Sequence, residues 1–318
     1  MRIIRHIKVL TGHQLVVALG TFDGVHRGHQ KLISQAKQYA QKKGYELAVI
    51  AFDPHPQQVV APERGLRILT EVSEKSERLK NLGVDYLVLL KFNQVFRGMT
   101  YQKFIENYLV RALKAKAVFV GYDHSFGKNR GGTVKELKTF GQKYGFEVQV
   151  TPPVLSRFQP IKSSLIRREL SSGNFNWAVD LLGHPYLIGG IVIKGAGRGS
   201  KIGFPTINIK VSGEKLLPAH GIFAGWLRLS ADNAPSASRL PVAIYIGSRP
   251  TFPEKNVTIE AHVLGTAGSK FKPQKSLNGK KVTLELTRYV RSDRQFSDVE
   301  DLKKAIAEDV AKCRKILG

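Results

Sequence analysis

The stretch Leu15-Val-Val-Ala-Leu-Gly-Thr-Phe-Asp-Gly-Val-His-Arg-Gly-His29 decides the fold. Five apolar residues read as a buried strand and a glycine-rich turn follows. His29–Lys43 then carries Leu32, Ile33, Ala36, Tyr39 and Ala40 on one helical face. The unit repeats outward. Apolar β-rich runs stand at Leu47–Phe52, Tyr86–Leu90, Ala117–Gly121 and Val148–Val150, with helical patterns at Ser73–Leu82, Tyr101–Leu113 and Thr133–Tyr144 between them. Near-continuous apolar strands alternating with helices predict an α/β, doubly wound parallel sheet covered on both faces. Two further helical segments, Ser164–Leu170 and Phe175–Leu182, are expected to close this half.

After Gly183-His-Pro185 the texture changes. Short strands now alternate in period two, as in Val257-Thr-Ile-Glu-Ala-His-Val263 and Val282-Thr-Leu-Glu-Leu286, and predict a small antiparallel β-barrel. Ser297-Asp-Val-Glu300 reads as a capping box for a C-terminal helix, with Val299, Leu302, Ile306, Val310, Cys313 and Leu317 as its packing stripe. The expected domains are therefore 1–184 and 185–318, as the 318-residue length also favours.

Composition bounds the function. The apolar runs are too short to span a bilayer, the basic N-terminus lacks a signal-peptide core, and the single cysteine excludes an internal disulfide, which together predict a cytoplasmic protein with no membrane partner. The net charge of +25 is spread over both halves. Such a field draws in anions. With no block of like charge and no aromatic-basic recognition motif, the anions expected are small ligands and not a specific nucleic acid.

The turn Gly20–His29 lies where a doubly wound sheet binds ligands, beyond a strand's carboxyl end and at a helix N-terminus. His26 and His29, three apart around Gly28, would donate to phosphoryl oxygens there. Gly28 would let a phosphate approach the backbone. Taken alone, the pattern is also that of a glycine-rich turn with two exposed histidines. Phe52-Asp-Pro-His-Pro56, Val120-Gly-Tyr-Asp-His-Ser-Phe-Gly-Lys-Asn-Arg130 and Ile161-Lys-Ser-Ser-Leu-Ile-Arg167 follow in order. With them the first half resembles the adenylyltransferase module of bacterial bifunctional riboflavin kinase/FMN adenylyltransferases (FAD synthetases), within the His-x-Gly-His nucleotidyltransferases. The resemblance implies catalytic roles for His26, His29 and Arg167. It implies ATP or phosphate binding by Gly20, Phe22, Gly28, Ser163 and Ser164, and flavin binding by His55, Asp123, Phe126 and Arg130. His124 stands where the family usually has Phe, and Lys162 where it usually has Ser.

No Gly-x-x-x-x-Gly-Lys-Ser/Thr occurs, so a kinase must cradle phosphate differently. Gly195-Ala-Gly-Arg-Gly-Ser-Lys-Ile-Gly-Phe-Pro-Thr-Ile-Asn208 offers glycines for a backbone wrap, Arg198 and Lys201 for charge, and Thr206 and Asn208 on one side for Mg²⁺. In the strand 257–263, Glu260 shares a face with Thr258 and His262. A glutamate there could serve as a base, or could simply face water. With Leu182–Val192, Leu217–Ala224, Ile246–Phe252 and Ile259–Leu264, this half resembles the riboflavin kinase module. That implies Glu260 as catalytic base, Thr206 and Asn208 as Mg-ATP ligands, Gly195 and Lys201 at the phosphates, and Arg291 at the flavin. Ile207 replaces the family's usual Ala, Ser200 a common basic residue, and Gly265 a common Asp.

The expected function is phosphorylation of riboflavin to FMN and adenylylation of FMN to FAD, with ATP and Mg²⁺. The rivals are a single-activity nucleotidyltransferase carrying a barrel as binding module, and a nucleic-acid-binding protein.

Overall fold

The computed structural model describes residues 1–5, 12–195, 197–229, 239–248, 257–265 and 277–318, without the side chain of Arg198. Ala196, the segment 249–252 of the block Ile246–Phe252, and most of the loops 231–240 and 265–279 lie outside the described residues. Two compact units divide the chain, Met1–Ser163 and Ser164–Gly318.

The first unit holds a six-stranded parallel sheet: β1 (Arg2–Ile4), β2 (Leu15–Leu19), β3 (Glu46–Asp53), β4 (Tyr86–Lys91), β5 (Ala115–Gly121) and β6 (Glu147–Thr151), in the order β1-β4-β3-β2-β5-β6. β1 was not legible in sequence; it pairs Arg2–Ile4 with Tyr86–Val88 at the edge. Alternation along β2 feeds two cores. Leu15, Val17 and Leu19 enter one, with Phe104, Ile105, Leu109 and Leu137. Val16 and Ala18 enter the other, with Leu32, Ile33, Ala36 and Ala40 of α1 (Arg27–Lys43) and Leu79 of α2 (Val72–Asn81). Helices therefore cover both faces, as the apolar strands require. The helix expected over Tyr101–Leu113 is α-helical only at Tyr101–Phe104; Ile105–Ala112 is wound as a π-helix, with Leu113 donating back to the Tyr108 carbonyl at 3.0 Å. On the same face α3 (Val134–Tyr144) is closed by a capping box between Thr133 and Glu136.

The second unit opens with α4 (Ser163–Ser171, of which Ser163 falls in the first unit) and α5 (Phe175–Leu182). β7 (Tyr186–Ile193), β8 (Ile207–Lys210), β9 (Gly221–Leu229), β10 (Arg239–Ser248), β11 (Val257–Val263) and β12 (Lys281–Arg291) close an antiparallel barrel in the order β7-β8-β11-β10-β9-β12. Phe223, Leu227, Ile244, Ala261 and Leu284 fill it. α5 belongs to this packing and does not close the first half. Phe175 meets Phe223 edge-on at 4.8 Å, and the Asn176 side chain accepts the Tyr289 N–H at 3.0 Å.

The final helix α6 (Val299–Leu317) starts one residue later than expected. Asp298, not Ser297, is its N-cap and accepts the Asp301 N–H at 2.8 Å. Val299 therefore lies in the first turn and is 54% exposed, whereas Val310 and Cys313 pack on the barrel with Ala224 and Leu264. Burial, ahead of the nearby Asp309 charge, pushes the Cys313 thiol up to about 12, consistent with a packing role for this side chain.

Candidate active sites

In the first sheet the chain runs β2-β3-β4 in one direction and then returns to place β5 beside β2. Ligand crevices form at such a switch point, outside the carboxyl ends of the two strands. The loop after β2 is Gly20–His26 and the loop after β5 is Tyr122–Arg130. Sequence spacing alone suggested the first loop; the strand order explains why the second belongs with it.

The first loop is strained and tightly held. Phe22 and Val25 are buried at φ of 48° and 39°, left-handed values that cost non-glycine residues energy. The buried Asp23 carboxylate pins them, accepting N–H groups from Leu69 at 3.0 and 3.1 Å and from Thr70 at 2.9 Å. Ser163, the last residue of the first unit, donates to the Asp23 carbonyl at 2.8 Å and so is tied to the same turn. Nothing in the sequence around Asp23 announces a partner 46 residues away.

His26 caps α1, its Nδ1 accepting the His29 N–H at 3.4 Å. The two imidazoles stack with centroids 3.7 Å apart and planes 18° from parallel, and Phe22 lies 5.1 Å from His29. Gly28 spares this stack, because a Cβ there would lie 3.1 Å from the His26 ring. Gly20 likewise leaves room for the Phe22 ring. Burial, then His26, then Lys75 hold the His29 imidazole well below its usual range, so it is neutral near pH 7 and has one N–H to donate.

Around the second loop, Asp123 pairs with Lys162 at 2.7 Å, so two departures from the family pattern, or their neighbours, are joined here. Phe126 stacks on His124 and leans on Phe104, with centroids 5.5 Å away in both cases. Arg130 donates to Ser125 at 2.7 Å. His55 caps the short helix Pro56–Val60 through its own side chain. Ser164 and Arg167 lie on α4, beyond the boundary of the first unit.

The barrel gathers its expected residues closely. β8 and β11 place Asn208 opposite Glu260, and the Thr206 hydroxyl donates to Glu260 Oε2 at 2.9 Å. Pairing also puts Asn208 opposite Ile193, near the glycine loop. Gly195 is obligatory there, since a Cβ would fall 2.1 Å from the Asn208 amide nitrogen. Gly199 is equally constrained by the Phe204 carbonyl at 2.3 Å. His262 Nδ1–H donates to the Pro205 carbonyl at 2.9 Å, tying β11 to the same loop. Lys201 ends the one-turn helix Arg198–Lys201 and is exposed. Ile207, between Thr206 and Asn208, is fully buried in β8 opposite Ala261. Arg291 is engaged elsewhere: Nε and Nη2 close on Asp309 at 2.8 and 2.6 Å, clamping α6 to β12.

Two family models match these units, FAD synthetase over residues 10–165 and riboflavin kinase over 182–317. A bifunctional riboflavin kinase/FMN adenylyltransferase from Listeria monocytogenes is 36% identical over 92% of this chain and 90% of its own. The Escherichia coli K12 protein of that name is 32% identical over 100% of this chain and 98% of its own. This chain belongs to the bifunctional riboflavin kinase/FMN adenylyltransferase family. A solved Streptococcus pneumoniae structure, described as a macrolide-efflux protein, shares the fold at a TM-score of 0.85 with 28% identity, covering 99% of both chains. That description belongs to the pneumococcal protein. Among the described residues no helix here is long and apolar enough to cross a membrane.

Proposed function

We propose that the two family activities, phosphorylation of riboflavin to FMN and adenylylation of FMN to FAD, are carried by separate residue sets. The Thr206–Asn208–Glu260 cluster carries this reading. It brings an acid side chain, a hydroxyl and a carboxamide together from two strands without a P-loop.

In the barrel, Glu260 accepts the proton of the ribityl primary hydroxyl as its oxygen bonds the γ-phosphorus of ATP and ADP leaves. Thr206 fixes the carboxylate, and Gly195 keeps Asn208 against the glycine loop. Among the described residues no cluster of His, Cys, Asp and Glu forms a protein-only metal cage. Magnesium fits Thr206 and Asn208 instead, as two neutral oxygen donors whose remaining partners would be nucleotide phosphates and water. Bound there, Mg²⁺ would neutralise phosphate charge.

In the first unit, a phosphate oxygen of FMN attacks the α-phosphorus of ATP and pyrophosphate leaves. His29 and His26 donate to the phosphoryl oxygens at the α1 N-terminus. The resemblance assigns Ser164 and Arg167 to the ATP phosphates. It assigns Asp123, Phe126, Arg130 and His55 to the flavin, and Phe126, stacked on His124, offers such a ring an aromatic neighbour. The resemblance also assigns Arg291 to the flavin, and its guanidinium holds Asp309 of α6. The chain works in the cytoplasm, a reading supported by the single cysteine and by the absence, among the described residues, of a helix long and apolar enough to cross a membrane.

Flavin chromatography after incubation with riboflavin, ATP and Mg²⁺ tests the whole reading. FMN should appear first and FAD should follow. FMN without FAD, or FAD only from supplied FMN, would remove one of the two sites.

A further inference from the structure

The strained turn that carries His26 and His29 rests on an ammonium group that neither activity has yet used. Lys75 lies on α2 and is 5% exposed, an unusual place for lysine. Its Nζ donates to the Thr21 carbonyl at 2.9 Å, across 54 residues of chain. Thr21 precedes Phe22, whose left-handed backbone sets the ring that meets His29. The hydrogen-bond partner of the ammonium is thus a carbonyl. Burial lowers the Lys75 pKa from its usual range, and Asp23 and Asp53 act against that and favour its charge; the Asp23 carboxylate also accepts the backbone N–H groups of Leu69 and Thr70, and Asp53 receives Arg5 at 3.2 Å.

We propose that Lys75 is a positioning residue of adenylyl transfer, which fixes the Gly20–His29 turn through Thr21 and places a buried positive charge behind His29. This rests on the reading of that turn as the adenylyl-transfer site. An apolar side chain of the same length would fill the volume more cheaply, because a buried ammonium forfeits its hydration. A phosphate site gains from the charge, which is preorganised and does not have to move as negative charge develops. The same charge disfavours a second cation close by. The charged and titratable groups facing His29 are His26, from its own turn, and Lys75, from α2; both oppose its protonation. His29 thereby keeps the neutral form, whose one N–H donates a hydrogen bond to the phosphoryl oxygen without transferring its proton.

The test compares Lys75→Met, Lys75→Gln and Lys75→Arg in the full chain, with riboflavin phosphorylation measured on each preparation as an internal control for folding. Gln can still donate to Thr21 but carries no charge. Both Met and Gln should lower kcat for FAD formation from FMN by on the order of 10–100-fold, and Arg should recover part of it. Removing the cation raises the His29 pKa toward 6.5, so the acid limb of the kcat profile should move to higher pH in Met and Gln but not in Arg. Histidine NMR should show the same shift at His29. A folded Lys75→Gln protein with wild-type kcat and an unmoved acid limb overturns the proposal, as does a loss of kcat with no change in His29 titration. If His29→Ala itself retains FAD formation, the site reading fails first and takes the inference with it.

Discussion

The Thr206 hydroxyl donates to Glu260 Oε2 at 2.9 Å, from a residue that enters β8 to one in the middle of β11. A glutamate on a barrel strand's polar face normally looks into water. This one is oriented by a neighbour that also sits beside the glycine loop, as a base that must meet one hydroxyl requires.

Glu260→Gln keeps shape and hydrogen bonding but removes the base. Riboflavin phosphorylation should fall by on the order of 10²–10⁴, while FAD formation from supplied FMN stays near wild type. His29→Ala should do the reverse, lowering adenylylation by on the order of 10²–10³. Both activities and the melting temperature should be read on one preparation. Parallel loss of both in a folded Glu260→Gln protein would refute separate sites.

Gly195→Ala and Gly197→Ala separate two kinds of glycine in one loop. An alanine Cβ at 195 would collide with the Asn208 amide, whereas Gly197 is surrounded by open space at a φ of 71°. Gly195→Ala should therefore raise the Mg²⁺ concentration needed for half-maximal FMN formation and lower kcat. Gly197→Ala should cost about 1–2 kcal/mol of local backbone strain with little change in the Mg²⁺ requirement. Equal magnesium titrations for the two would sever Gly195 from Asn208.

Much of this was legible in the sequence, and the reasons differ by element. Leu15–Leu19 is apolar on both faces because both faces are buried, so its parallel setting could be read from five letters. Thr206, Asn208 and Glu260 were found because strand alternation fixes which side chains share a face. Lys75 and Asp23 escaped because their partners, Thr21 and Leu69–Thr70, are brought together only by tertiary packing. Arg291 was not legible as a partner of Asp309, 18 residues on, because only the packing of α6 on the barrel brings them together. The one-residue slip at α6 arose because Ser297 and Asp298 are both good caps, and the chain uses Asp298.

Acid should loosen the first unit. Burial lowers His124 to about 4, against 6.5 in an unfolded chain, and His29 is lowered in the same sense. A group depressed in the fold binds fewer protons folded than unfolded. Its contribution is complete above pH 6.5 and disappears as pH falls toward 4. The melting temperature should drop over that window by roughly 2–4 °C for each kcal/mol lost. His124→Phe restores the family's usual aromatic and keeps a ring against Phe126, so it should flatten part of the slope and leave the share due to His29. An unchanged slope would show that His124 is solvated in the working protein.

The packing boundary at Ser164 and the change of sequence texture at Gly183–Leu187 predict different behaviour for shortened barrels. A fragment 164–318 retains Phe175, which is 1% exposed against Phe223, the Asn176–Tyr289 bond, and the bond from the Ala219 N–H to the Leu170 carbonyl at 3.0 Å. A fragment 185–318 loses all three. Deleting a buried phenylalanine alone typically costs about 3–5 kcal/mol, a large part of the roughly 5–15 kcal/mol that holds a domain together. The longer fragment should therefore melt cooperatively and phosphorylate riboflavin, and the shorter should melt much lower or populate unfolded chain at 25 °C. Circular dichroism melts of the two, each paired with an FMN-formation assay, decide the matter. Melting temperatures within a degree or two of each other would mean that α5 contributes nothing to the barrel, and that the texture change marks the true edge of the kinase domain.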